Sequence, residues 1–161
     1  MQITEGKTGD YAEELERNGA IAFVPSGISM WPTLKNRGQS VVVIKKTGKL
    51  SRYDVALYIR PGHKYVLHRV MTPTKEGYLM CGDSQLVYER VAEEQVIGVM
   101  EGFYRKDKYI SAADEKYKRE TENWYSHKKR RKFILKLFYF WNRVKGKLSR
   151  MFRANKKEQN V

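Results

Sequence analysis

The chain has 161 residues, 41% of them hydrophobic, with three Trp, eleven Tyr and six Phe; that stock supports one core and excludes wholesale disorder and two full domains. One cysteine, Cys81, and three scattered histidines exclude a disulfide scaffold and a clustered metal site, and no metal or other cofactor is expected. The net charge of +14 is uneven: Lys+Arg against Asp+Glu is 16 to 15 over residues 1–115 and 16 to 3 over residues 116–161. A nearly neutral body thus carries a basic tail suited to a polyanion, either an acidic membrane surface or a nucleic acid.

The opening residues MQITEGKTGDYAEELERNG are acidic and polar, without the basic and apolar regions of a secretory leader, so the chain is expected to start in the cytosol. Asp10, Glu13, Leu15 and Gly19 predict a short capped helix within a lead-in over residues 1–19: side-chain acceptors satisfy the first amides and Gly takes the left-handed exit. From residue 20 to about 112 the runs AIAFV, SVVVIKK, DVALYI, KYVLHRVM, GYLMCG and QVIGVMEGFY alternate with turns at Asn36-Arg37-Gly38, Thr47-Gly48, Arg60-Pro61-Gly62 and Lys75-Glu76-Gly77. Short β-branched and aromatic runs so punctuated predict a mainly β body.

Residues 113–161 predict a basic amphipathic helical tail, with Ile134, Leu137, Trp141, Val144, Leu148 and Met151 recurring at steps of three and four. Lys136, Arg143, Lys147 and Arg150 fall on the opposing face, and Trp124, Tyr125, Tyr139, Phe140 and Trp141 supply an aromatic belt of the kind favoured where water meets lipid. The same stripe could instead dock on the β body. Gly146 and the polar end NKKEQNV predict fraying, and the longest apolar run, Phe133 to Trp141 with Lys136 inside it, is far short of the ~20 residues needed to cross a bilayer.

Three segments carry chemistry. Pro25-Ser26-Gly27-Ile28-Ser29-Met30-Trp31-Pro32-Thr33-Leu34 holds serines on a turn stiffened by prolines and opened by Gly, a geometry able to present a hydroxyl; nucleophilic use also needs a base and oxyanion donors. The base candidate is His68 in KYVLHRVM, since His63 follows a turn and His127 lies in the basic tail; strand alternation puts it with Val66 and Val70, opposite Tyr65, Leu67 and Arg69. Cys81 to Glu89 forms a turn with carboxylates at Asp83 and Glu89, either of which could orient a histidine, although Asp83 after Gly82 reads first as a side chain bonding the amides of its own turn. Cys81 reads as a small buried hydrophobe.

At these residues the sequence resembles the signal peptidase I and LexA-like serine peptidase superfamily. Gly27-Ile28-Ser29-Met30-Trp31-Pro32-Thr33-Leu34 is similar to its nucleophile box and Leu50 to Leu57, with Tyr53-Asp54-Val55, to its structural box. His68-Arg69-Val70 is similar to the base box in its histidine form, and Gly82-Asp83-Ser84 to the final Gly-Asp box. Four boxes in order over residues 20–105 are far more specific than any one. Tyr53 stands where Gly is common, and Arg37-Gly38-Gln39 where Arg-Gly-Asp is usual.

The resemblance implies a signal-peptidase/LexA-like β catalytic core and a serine endopeptidase cleaving leader or signal-like peptides at or near a membrane surface. Ser29 would attack the peptide carbonyl and His68 take its proton, while the Ser29 amide with Ser26 and Gly27, flanked by Ile28 and Met30, would bind the oxyanion and substrate. The acid that completes the triad in His-type members falls at or beside Glu89, which is preferred to Asp83. The implied partner is an extended peptide lying as an added strand. An anionic membrane surface met through residues 124–153, on the cytoplasmic face, is the second partner expected, the basic helix standing in for the N-terminal transmembrane anchor of signal peptidases. Nucleic acid is not expected as a partner. The alternatives are a catalytically silent peptide- or membrane-binding module of the same fold and, third, a self-cleaving repressor-like or nucleic-acid-binding protein.

Overall fold

The computed structural model describes residues 10–35 and 38–158, with side chains described as far as residue 146. A short helix, α1 (Tyr11–Asn18), leads into strands β1 (Ala20–Phe23), β2 (Val41–Lys45), β3 (Val55–Arg60), β4 (Lys64–Pro73), β5 (Gly77–Cys81), β6 (Glu89–Ala92), β7 (Val96–Arg105) and β8 (Lys108–Ser111), and two helices follow, α2 (Glu115–Ser126) and α3 (Lys128–Glu158). All strand pairs are antiparallel, in the order β1-β2-β7-β3-β4-β5-β6 with β8 beside β7. The class is mixed α/β, a mostly antiparallel half-barrel sheet with a short N-terminal helix and two C-terminal helices.

Strand β3 shows why the body reads as nearly continuous apolar runs. Val55 and Leu57 enter one core cluster, with Leu15, Val41, Val43, Leu67, Met100 and Phe103, while Ala56 and Tyr58 enter a second with Val70, Tyr78, Met80 and Val91. Both faces of the central strands are buried, so neither face has to be polar. Register shifts at Val42/Val43, Leu57/Tyr58 and Val70/Thr72 insert the bulges that bend a sheet toward closure.

Helix α1 has the caps its sequence predicts. Asp10 accepts from the Ala12 amide at 3.0 Å, and Gly19, at φ +71°, donates its amide to Leu15 O. Its one buried residue, Leu15, rests where a Cβ on Gly98 would come within 2.8 Å of the Leu15 side chain. That Cβ would also meet Val43 Cγ1 at 2.6 Å and the Ile44 carbonyl at 2.8 Å, so a side chain at position 98 forces its neighbours to shift.

The structure corrects several expectations. β6 and β8 are strands the apolar runs did not reveal, because Glu89-Arg90-Val91-Ala92 and Lys108-Tyr109-Ile110-Ser111 are short and half charged or exposed. The tail is two helices broken at His127, and α3 continues through Gly146 to Glu158 where fraying was expected. The chain divides into two compact units, the first ending at Asn123 and the second beginning at Trp124, so most of α2 belongs with the sheet. Asp114 caps α2 by accepting from the Tyr117 amide at 3.0 Å, and the Tyr117 ring packs edge-on against Phe103. Residues 1–9, Asn36, Arg37 and the side chains of Lys147, Leu148, Arg150 and Met151 lie outside the described part.

Candidate active site

Ser29, His68 and their neighbours line one cleft of about 300 Å³, whose walls include Phe23, Pro25, Ser26, Gly27, Met30, Tyr65 and Arg60. The serine turn follows β1. Gly27 sits at φ +92°, a conformation L side chains rarely adopt, and the Trp31-Pro32 peptide is cis. The amides of Gly27, Ile28, Ser29 and Met30 make no hydrogen bond among the described residues, so the turn retains unspent donors of the kind an oxyanion needs. Ser26, Gly27, Ser29 and Met30 reach the cleft, while Ile28 contributes its carbonyl to the clamp beneath and is not in the lining.

That clamp is the turn after β5. The Ser84 amide donates to Ser29 O at 2.8 Å, and Ser84 Oγ donates to Ile28 O at 2.9 Å and Ser29 O at 3.2 Å. Gly82 makes the approach feasible, since a Cβ there would meet Ser29 O at 2.7 Å. Gly82→Ala therefore displaces the Ser29 turn; the expected result is a loss of about 1–3 kcal/mol in urea unfolding together with a loss of any Ser29-dependent reaction.

His68 is buried on β4, paired with Ala56 of β3. Its Nδ1 lies 2.8 Å from Glu89 Oε1 and 3.1 Å from Tyr58 Oη. Burial pulls its pKa below the usual value, an effect only partly opposed by Glu89, so the ring is neutral at pH 7. For Glu89, burial raises the pKa, but hydrogen bonds from Arg60, Tyr58 and His68 outweigh it and hold the carboxyl below its ordinary range. An ionised Glu89 accepts, so Nδ1 carries the imidazole proton and Nε2 is left with the basic lone pair. Neither Nε2 nor Ser29 Oγ makes a hydrogen bond among the described residues, to each other or elsewhere. Catalytic contacts that are open in a free protein commonly close only around substrate.

Two residues of this cluster escaped the sequence reading. Arg60 grips Glu89 with both Nε (2.9 Å) and Nη2 (2.5 Å), and Tyr58 donates its hydroxyl to the same carboxylate. Strand alternation puts both on the His68 side of the β3–β4 hairpin, and a closing pair at Arg60↔Lys64 fixes Ala56 opposite His68; the turn at Pro61-Gly62 was the available signal. Arg60 also lowers the His68 pKa through its charge. Arg60→Met therefore raises it, and the acidic limb of a His68-dependent pH–rate profile moves to higher pH. A profile that stays in place would show that Arg60 does not act on the histidine.

Asp83 makes its described hydrogen bonds to Arg69 and Thr33, although its charge reaches His68 and favours the protonated ring; its position after Gly82 suggests a side chain bonding the amides of its own turn. Ser84 and Gln85 donate those amides to Ser29 O and Gly82 O. The Asp83 carboxylate is fully buried and accepts two hydrogen bonds from Arg69, at 2.7 Å each, and one from Thr33 Oγ1. Arg69, equally buried, also donates to Tyr53 O at 2.8 Å and Tyr117 Oη at 3.1 Å. This pair joins the serine turn, β4 and α2 below the cleft. Cys81 is buried, with its thiol donating to nearby carbonyls. Among the described residues no group of His, Cys, Asp and Glu is arranged to hold a metal.

Comparison with protein-family models, with curated proteins and with solved structures found no match to this chain.

Proposed function

We propose that the protein is a serine endopeptidase of signal-peptidase type, built on a signal-peptidase/LexA-like core, that cleaves extended leader-like peptides. The observation carrying this reading is the ordered relay Arg60–Glu89–His68 facing the cleft that Ser29 lines. In this mechanism His68 Nε2 takes the Ser29 proton as Oγ attacks the carbonyl, Glu89 stabilises the imidazolium through Nδ1–H, and the unspent amides of the Ser29 turn bind the oxyanion. The imidazolium then protonates the leaving amine, and water repeats the sequence on the acyl-enzyme.

Local geometry supports the resemblance at two positions where sequence alone says little. Tyr53, standing where the family pattern favours Gly, has φ +77°, the backbone conformation that Gly adopts without strain. Gly82 of the last box is the residue whose missing Cβ admits Ser29 O. The absence of a Ser29–His68 hydrogen bond favours a second reading, a silent peptide-binding module of the same fold. Mass-spectrometric mapping of a peptide panel separates the two. Cleavage by the wild-type chain, lost in Ser29→Ala, supports the peptidase; peptide binding without cleavage by either protein supports the module.

A further inference from the structure

Helix α3 has two apolar faces. Leu135 is buried, with Ile134 and Phe138 half-buried on the same side. Phe133, Leu137, Phe140 and Trp141 are 63%, 44%, 59% and 58% exposed, and Val144 continues their row. At 3.6 residues per turn these five fall within roughly 100° of arc. Exposed Lys129, Lys136 and Arg143, seven residues apart, form a row along one edge of it. This revises the stripe expected from sequence: Ile134 is half-buried, and exposed Phe133 and Phe140 join Leu137 and Trp141. Tyr125 is buried and Trp124 half-buried, with the Arg131 guanidinium over both rings, so neither joins the exposed belt.

We infer that this outward face of α3 is a docking surface for an anionic lipid bilayer, with the four large apolar side chains entering the headgroup–acyl boundary and the basic row lying on the headgroups. Charge and apolarity together select this occupant. Residues 123–157 contain thirteen Lys or Arg and no Asp or Glu, so a second copy of the helix would be repelled at close range. A phosphate backbone would satisfy the cations but would leave Phe133 and Leu137 in water. A lipid surface satisfies both sets at once, and no described helix is long and apolar enough to cross it, so the helix lies in the interface. The inference is independent of the peptidase reading, because no residue of the cleft takes part.

The test uses the full chain with phosphatidylcholine vesicles, with and without about 30% phosphatidylserine. Sedimentation is expected to show at least about tenfold stronger partitioning onto the anionic vesicles, and brominated acyl chains are expected to quench a tryptophan signal that Trp141→Phe removes. Phe133→Ser/Leu137→Ser/Phe140→Ser, all exposed sites, is expected to cut partitioning about tenfold or more with an unchanged circular dichroism spectrum. Lys129→Gln/Lys136→Gln/Arg143→Gln is expected to remove the preference for phosphatidylserine. Partitioning unchanged in the serine variant would overturn the inference. So would binding to single-stranded RNA but not to vesicles, or a dimer in sedimentation equilibrium that the serine variant dissolves.

Discussion

If the chain is the peptidase proposed, Ser29→Ala is expected to lower peptide cleavage by a factor on the order of 10⁴ to 10⁶, His68→Ala about as far, and the double variant no further than either single one. Such non-additivity is the kinetic sign of groups that act as one unit: a base without its nucleophile, or a nucleophile without its base, contributes nothing further. Glu89→Gln is expected to fall between these variants and wild type, because the amide keeps contact with His68 Nδ1 but lacks the charge that stabilises the imidazolium. The pH dependence has a worked sign. His68 must be neutral to accept a proton, and burial holds its pKa below the usual value. Cleavage is therefore expected to persist below the ordinary histidine range and to fail only at lower pH. Steady-state rates for the four variants, with folding checked by circular dichroism, decide the matter.

The largest stability effect belongs to the pair beneath the cleft. Arg69 and Asp83 are fully buried and joined by two hydrogen bonds of 2.7 Å. Asp83→Ala strands a guanidinium and Arg69→Met a carboxylate, and breaking such a pair costs about 3–5 kcal/mol. The double variant Arg69→Met/Asp83→Leu removes both charges and recovers much of that loss, since burying two ions is itself expensive. Denaturant titrations of the four proteins measure the difference. Equal stability of Asp83→Ala and wild type would contradict the buried pair. The same variants loosen the Ser29 turn, because Thr33 also donates to the Asp83 carboxylate.

Much of the body was legible because its strands obey local rules. Asp10 and Gly19 delimit α1 by capping chemistry alone, and the runs at 41–45, 55–60 and 77–81 are β-branched or aromatic between turn residues. β6 and β8 were not legible, since four-residue strands with charged or exposed side chains owe their pairing to neighbours far along the chain. The site divides along the same line. Ser29, His68 and Glu89 are named from the family resemblance, and the structure places His68 against Glu89 with Ser29 lining the same cleft as His68, whereas Arg60 and Tyr58 required a register and the Arg69 contact of Asp83 required the tertiary fold. Asp83 after a glycine looks like a turn residue; only the depth of burial of Arg69, fourteen positions away, shows what it neutralises. The tail misled for a related reason. Periodicity marks an apolar side but does not say which apolar residues find cover, so the stripe groups half-buried Ile134 with the exposed Leu137 and Trp141 and omits exposed Phe133.

The most direct test of the peptidase account is to treat the full chain with a serine-reactive acylating probe and locate the adduct by peptide mapping. The account predicts one adduct, on Ser29, formed more slowly as pH falls through the His68 titration and absent from His68→Ala. An adduct that maps to another residue, persists in Ser29→Ala, or never forms on a wild-type chain of native fold would contradict it.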